Sequence, residues 1–249
     1  MNITGTITLE AWVKTNSPSA QQGLVEKYDA HGGYALRLQG GRILFGVIKN
    51  REAGIVPCAP SEEDWDRVFP FQTCYDDYAY VTGSTLVSSG AWHHIAAVFD
   101  GSEYRVYLDG LLDGALPGGF GPSRNSTSLK IGARGDDAAY TFNGLIDEAR
   151  ITSGAIYSAN FIPRLPLTVG VVVEAFDGAG VRGYWDFNDQ TSTDFAGYNN
   201  HGSPILGAAY STETNSDYQP RVVIQQPHTV NFEGFPYQWF GQFFEARFS

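Results

Sequence analysis

The sequence predicts an all-β fold, an antiparallel sandwich of two sheets with little helix. Three observations carry that prediction. Apolar and polar residues alternate over short runs, as in residues 6–14, where Ile7, Leu9, Ala11 and Val13 share one face. Turn pairs such as Gly40-Gly41 and Asp109-Gly110 separate the runs, and both residues of such a pair can take the positive φ of a two-residue hairpin. No long stretch repeats with the period of an amphipathic helix. The composition agrees: 249 residues include 29 Gly, 14 Tyr and 16 Phe but one Met, which suits many strands joined by tight turns.

In chain order, strands are expected at 6–14, 23–28, 34–39, 42–49, 78–87, 92–99, 104–108, 128–132, 144–151 and 181–187. Gly32-Gly33 and Asp100-Gly101 add further breaks. Between residues 50 and 78 lies an insertion too irregular for a strand and long for a loop. It carries Cys58 and Cys74, 16 apart. A disulfide between them would clamp the insertion in an oxidising compartment and stabilise by about 3 kcal/mol. The other reading is a reduced pair, and with no second pair a zinc site is not expected. Trp65, Phe69, Phe71, Tyr75 and Tyr78, among Glu62, Glu63, Asp64, Asp66, Asp76 and Asp77, make the insertion either a ligand-facing rim or a flap over the sandwich end.

A linker-like run spans 163–180, within which residues 167–174 are apolar enough to pack. The tail, 221–249, holds Phe232, Phe235, Tyr237, Trp239, Phe240, Phe243, Phe244 and Phe248. Such a tail is expected to be buried, since exposed it would drive aggregation. The net charge of −11 argues against general attraction to nucleic acid or anionic membrane. No apolar run reaches the roughly 18–20 residues of a membrane span. Met1 leads straight into a strand, so no signal peptide is expected within this sequence, which is read as a processed fragment or as a protein exported without a cleaved signal.

The ladder Gly90-Ala91-Trp92-His93-His94-Ile95-Ala96-Ala97-Val98-Phe99-Asp100-Gly101, then Tyr107-Leu108-Asp109-Gly110, then Asn143-Gly144-Leu145-Ile146-Asp147-Glu148-Ala149-Arg150-Ile151, resembles the laminin-G-like jelly roll. This is the concanavalin A-like lectin sandwich. Leu9-Glu10-Ala11-Trp12-Val13 resembles a strand that follows the family's opening strand and loop, yet here it comes first. The segment resembling that opening, Gly183-Tyr184-Trp185-Asp186-Phe187-Asn188 with residues 194–202, comes late. We therefore divide the chain into a sandwich at 1–162 and a C-terminal segment at 163–249. That segment completes the sandwich as a permuted fold, forms an appended β unit, or is donated to another copy to build a fibre.

The resemblance also implies calcium. Asp194-Phe195-Ala196-Gly197-Tyr198-Asn199-Asn200-His201-Gly202 is similar to a family loop that holds Ca²⁺, with Ala196 in place of the usual Ser. Asp194, Asn199 and Asn200 are the candidate ligands, with Asp147 from the neighbouring strand, and an acidic Gly-bearing turn suits an ion that takes 6–8 oxygens. The alternative is an Asx turn capped by its own side chains. Loops at Asp136-Asp137 and Asp29 are weaker candidates.

Glycan recognition follows from the resemblance, with loop aromatics and planar polar groups as candidates: Tyr28, Asp29, His31, Trp65, Tyr75 and Tyr140. Catalysis is not expected. A retaining glycosidase needs two facing carboxylates about 5–5.5 Å apart, whereas adjacent Asp147 and Glu148 point to opposite faces of a regular strand. His93-His94 reads as structural, and no Ser-His-Asp pattern or phosphate loop is visible. Asn2-Ile3-Thr4 and Asn125-Ser126-Thr127 match the N-glycosylation pattern. The functional expectation is a non-catalytic extracellular carbohydrate-binding or adhesion module, its partner a glycan or cell-surface polysaccharide, with structural calcium. The alternative is a structural subunit of a surface filament or virion, self-assembling by strand donation; a glycoside hydrolase is the third and weakest reading.

Overall fold

The computed structural model describes residues 1–29, 32–50, 76–135, 140–163, 180–187, 190–205 and 208–211. Among these the strands are β1 (Ile7–Thr15), β2 (Gln22–Asp29), β3 (Gly32–Gln39), β4 (Arg42–Asn50), β5 (Asp76–Thr82), β6 (Trp92–Phe99), β7 (Glu103–Leu108), β8 (Leu111–Pro117), β9 (Lys130–Ile131), β10 (Gly144–Ser153) and β11 (Gly180–Trp185). No helix occurs among the described residues. Two sheets face one another: β11-β10-β1-β6-β7-β8 and β5-β4-β3-β2-β9. All pairs are antiparallel, so the expected all-β sandwich is what the chain forms.

Alternation decides which side chains fill the space between the sheets. Ile7, Leu9, Ala11 and Val13 of β1 point inward and meet Leu36 and Leu38 of β3, Phe45 of β4, Ile95 and Ala97 of β6, and Ile151 of β10. The outer face of the six-stranded sheet is covered twice. Residues 154–163 lay Tyr157 and Phe161, stacked at 3.6 Å, onto Ala96, Val98 and Tyr107. The chain after β11 brings Ala196 to Trp12 and Tyr184.

Under the first cover sits a buried ionic group. Glu10 accepts from Arg150 Nε at 2.7 Å and Tyr157 OH at 2.7 Å, and His94 Nε2 lies at 3.1 Å. Burial alone would raise the Glu10 carboxyl, but the Arg150 guanidinium, His94 and the Tyr157 hydroxyl outweigh it and hold it at about 2. The expected structural role of the histidine pair is visible here: His94 is wholly buried, edge-on to Trp12.

Strand β11 pairs with β10 of the same chain, Trp185 opposite Ala149 and Tyr184 opposite Arg150. It occupies the edge of the six-stranded sheet, and Trp185 reaches the core. Residues 167–174 and the aromatic tail, 221–249, lie outside the described residues, as does the Cys58–Cys74 pair.

Most boundaries shift by one or two residues; one expected strand is cut shorter, and one strand is new. The strand expected at 78–87 starts at Asp76 and stops at Thr82, where Gly83 N donates to Ile43 O and the chain turns. β8 was not expected from the sequence. Its Leu111, Leu112 and Leu116 are exposed, so it has no buried face to leave a period-2 pattern; pairing with β7 holds it.

Candidate functional site

The outside of the five-stranded sheet carries an aromatic and cationic band. On β5 the pleat sends Ala79 and Val81 to the core and Tyr78 and Tyr80 outward. Those two rings stack at 6.2 Å with planes 15° apart, and both are about half exposed, at 51% and 48%. Gly46, opposite Tyr80 on β4, makes room: a Cβ there would lie 2.7 Å from the Tyr80 ring. Arg37 of β3 continues the band, its guanidinium 5.1 Å from the Tyr28 ring of β2. Arg134, from the loop after β9, donates Nε to Tyr28 OH at 2.6 Å and lies 5.3 Å from the exposed ring of Tyr140. The band crosses four strands, so it is about 14 Å wide. Tyr28 and Arg37 are themselves buried, so the band's open face is Tyr78, Tyr80 and Tyr140, with Arg134 partly exposed among them. It offers ring faces next to phenol and guanidinium donors, a surface suited to a flat ligand with an apolar face and a polar rim.

Glu26 lies beneath, fully buried. Its Oε2 accepts from Arg37 Nη2 at 3.1 Å and from Gly135 N at 3.0 Å, while Arg37 Nε approaches Oε1 at 3.0 Å. Burial raises its carboxyl to about 7, against the Arg37 charge and the Gly135 N–H, which lower it. The folded pKa thus lies above the ordinary value of 4.5. The folded state then binds the proton more tightly, so this contribution to stability is complete below about pH 4.5 and is lost as pH rises through 7. Thermal melts of the wild type and Glu26→Gln should diverge across that window, the variant losing less stability from pH 5 to 8. Parallel curves would contradict it.

Of the residues expected to bind a ligand, Tyr28 and Tyr140 meet in this band through Arg134. Asp29 ends β2 beside them. His31, Trp65 and Tyr75 lie outside the described residues, as does Asp136-Asp137. Sequence reasoning missed Tyr80, Arg37 and Arg134. The outward alternation of Tyr78 and Tyr80 was a usable signal; the loop placement of Arg134 left none.

The expected calcium ligands are arranged differently from a cation site. Asp194 Oδ1 accepts from Tyr184 N at 3.1 Å and Ala196 N at 2.9 Å; Oδ2 accepts from Asn200 N and Asn200 Nδ2, both at 3.0 Å. All four acceptor positions of this buried carboxylate therefore face N–H donors, as in an Asx-type cap. Asn199 is exposed at φ 57°, a turn conformation asparagine tolerates. No group of three or more His, Cys, Asp or Glu gathers for a metal among the described residues. As folded, this loop does not fit a calcium ion; it ties the chain after β11 to that strand.

Asp147 is the exception. A bulge at Ala11 and Glu148, the latter at φ 54°, breaks the regular register of β1 and β10. Glu148 turns to accept from Tyr184 OH at 2.8 Å, whereas Asp147 lines a cleft of about 1050 Å³ beside Trp92, Asn143 and Trp185. Burial lifts the Asp147 carboxyl to about 6, with the Glu148 N–H opposing and the Asp186 charge adding.

A Ser-His-Asp chain, not visible in the sequence, does form at the start of β6. Ser88 Oγ lies 2.6 Å from His93 Nε2, and His93 Nδ1 lies 2.8 Å from Asp109 Oδ2. Asp109 also accepts from His94 N at 2.9 Å, so the chain ties the turn between β7 and β8 to β6. In the same turn Gly90 N donates to Thr15 O at 2.8 Å. The glycosylation pattern at Asn125 is likewise structural: Nδ2 donates to Lys27 O at 3.1 Å and Gly32 O at 2.8 Å, using both hydrogens.

The fold is similar to that of a candidate carbohydrate-binding protein from Bacteroides ovatus ATCC 8483, at 13% identity and a TM-score of 0.54, over 85% of this chain and 57% of that one. Domain 4 of AbnA, a GH43 extracellular arabinanase from Geobacillus stearothermophilus solved with arabinotriose, is similar at 18% identity and a TM-score of 0.40, over 63% of this chain and 65% of that one. Domains LG4-5 of the mouse laminin alpha1 chain are similar at 14% identity and a TM-score of 0.39, over 65% of this chain and 41% of that one. The chain thus spans less than two thirds of the length of these three. No curated protein sequence matches this chain significantly. The profile of the Laminin_G_3 family, the concanavalin A-like lectin/glucanases superfamily, matches residues 1–160, and with the two-sheet topology this shows that the chain belongs to that family.

Proposed function

We propose that this chain is a non-catalytic carbohydrate-binding module, working outside the cell, that holds a glycan across the outside of its five-stranded sheet. The observation that carries this is the stacked, half-exposed Tyr78–Tyr80 pair, with the exposed Tyr140 and the partly exposed Arg134 beyond it and the buried Arg37 and Tyr28 supporting them from below. A pyranose or furanose ring has C–H faces that lie on a tyrosine and hydroxyls at its rim that reach guanidinium and phenol groups. The band is a surface rather than a pocket, which suits an internal stretch of a polysaccharide. Membership of a lectin-containing superfamily supports the reading, as do the ties that commit Asp194 and His93 to holding turns. Extracellular placement follows from the ligand, since polysaccharide chains of this kind are displayed there.

A glycan array followed by calorimetry on the best binder tests it. Tyr80→Ala should weaken binding roughly tenfold, about 1.4 kcal/mol, without changing the melting curve by more than a surface substitution does. An array with no binder, or equal affinity in the variant, would sink the proposal.

A further inference from the structure

We infer that the cleft beside β9, β10 and β11 is a second ligand site, and that it takes a sugar carrying a free, protonated amine. The sandwich closes on one side where β5 and β8 approach each other; the cleft lies on the other, where β9 and β11 end their sheets. At about 1050 Å³ it has the size of a small-molecule site. Asp147 lines it and is 8% exposed, a depth at which a carboxylate is ordinarily paired. Its Oδ1 accepts from Glu148 N at 2.9 Å. No cation forms an ion pair with it among the described residues. Lys130 also lines the cleft, but its Nζ is turned to Gly135 O at 2.9 Å.

The Asp186 charge adds to burial in raising the Asp147 carboxyl. A buried carboxylate facing a cleft, with no cation paired to it among the described residues, is complementary to a positive donor group. The surrounding groups select what carries it. Trp92 and Phe142 give apolar surface, and Asn16 and Asn143 give amide donors and acceptors, the mixture that holds a hydroxylated ring. A simple polyamine would leave those amides unused. A neutral sugar would leave the carboxylate without a counter-charge. An amino sugar uses both.

This site is separate from the tyrosine band, and its test is arranged so that the two fail separately. A glucosamine tetramer and its fully N-acetylated counterpart are titrated against the whole chain, with Asp147→Asn and Tyr80→Ala in parallel. The amine-bearing tetramer should bind, should weaken several-fold between low and high ionic strength, and should lose at least tenfold in Asp147→Asn while keeping its affinity in Tyr80→Ala. The N-acetylated tetramer should show no dependence on Asp147. The asparagine keeps an oxygen for Glu148 N; should the variant still fold poorly, the acetylation and salt contrasts on the wild type decide alone. Equal binding of the two tetramers, loss in Tyr80→Ala, or an unaffected Asp147→Asn would each overturn the inference.

Discussion

Arg150→Met is expected to destabilise the fold by about 3–5 kcal/mol, because it leaves the Glu10 carboxylate buried without its counter-charge. Glu10 is fully buried, and Arg150 meets its Oε1 through both Nε, at 2.7 Å, and Nη2, at 2.6 Å. Tyr157 and His94 remain in the variant, but neither supplies a permanent positive charge. Chemical denaturation at pH 7 measures the loss. The double variant Glu10→Gln/Arg150→Met should recover a large part of it, since an uncharged pair has no buried ion to compensate. The same geometry fixes the acid limb of the stability profile. The folded pKa, about 2, is below the ordinary 4.5, so the contribution is complete above about pH 4.5 and is lost as pH falls through 2. A loss under 1 kcal/mol in Arg150→Met would mean that the charge finds water or a proton at little cost, and the account of this network would be wrong.

Trp185→Ala is expected to cost about 3–5 kcal/mol, comparable to truncating any large core aromatic. Trp185 lies on the late strand β11, yet it is 2% exposed and belongs to the same core cluster as Leu9 and Ile151. Its Nε1 donates to Asn200 O at 3.1 Å, so the substitution also leaves a carbonyl of the 194–202 loop unpaired. The shape of the transition is as informative as its size. If β11 folds with the ladder, wild type and variant both unfold in one cooperative step, with the variant's midpoint shifted. If the segment were a detachable addition, the main transition would stay where it was and a separate, weaker one would move. Ile95→Val on β6, expected to cost about 0.5–1.5 kcal/mol, provides the scale.

Much of the ladder was legible because the two faces of its strands differ in chemistry: in β1 both are buried, but the inward set is aliphatic and the other, Thr8, Glu10 and Trp12, is polar or aromatic. Ile7, Leu9, Ala11 and Val13 announce β1 by alternation, and the inward set is the one observed. β8 was illegible for the converse reason, as its leucines face water and it is held by backbone pairing that any sequence makes. Half of the tyrosine band was legible. Tyr28 and Tyr140 stood out as loop aromatics, but what joins them is Arg134, whose position depends on how the chain leaves β9. The loop at Asp194 was legible as a motif with two readings, a calcium loop or an Asx cap, and what separates them is spatial: its carboxylate meets four N–H donors once β11 is in place, the arrangement of the cap.

By itself, then, the sequence determined the all-β class, the strand faces, the family and the late position of the Gly183–Trp185 stretch, because these rest on local periodicity and on residues near one another in the chain. Tertiary structure alone decided where that late strand pairs, which carboxylate is sated and which is left open, and which tyrosines share a surface. Those outcomes depend on hydrogen-bond donors and charges brought together from distant segments. Whether Asp194 or Asp147 has an oxygen to spare is a property of its neighbours in space, which no spacing along the chain records.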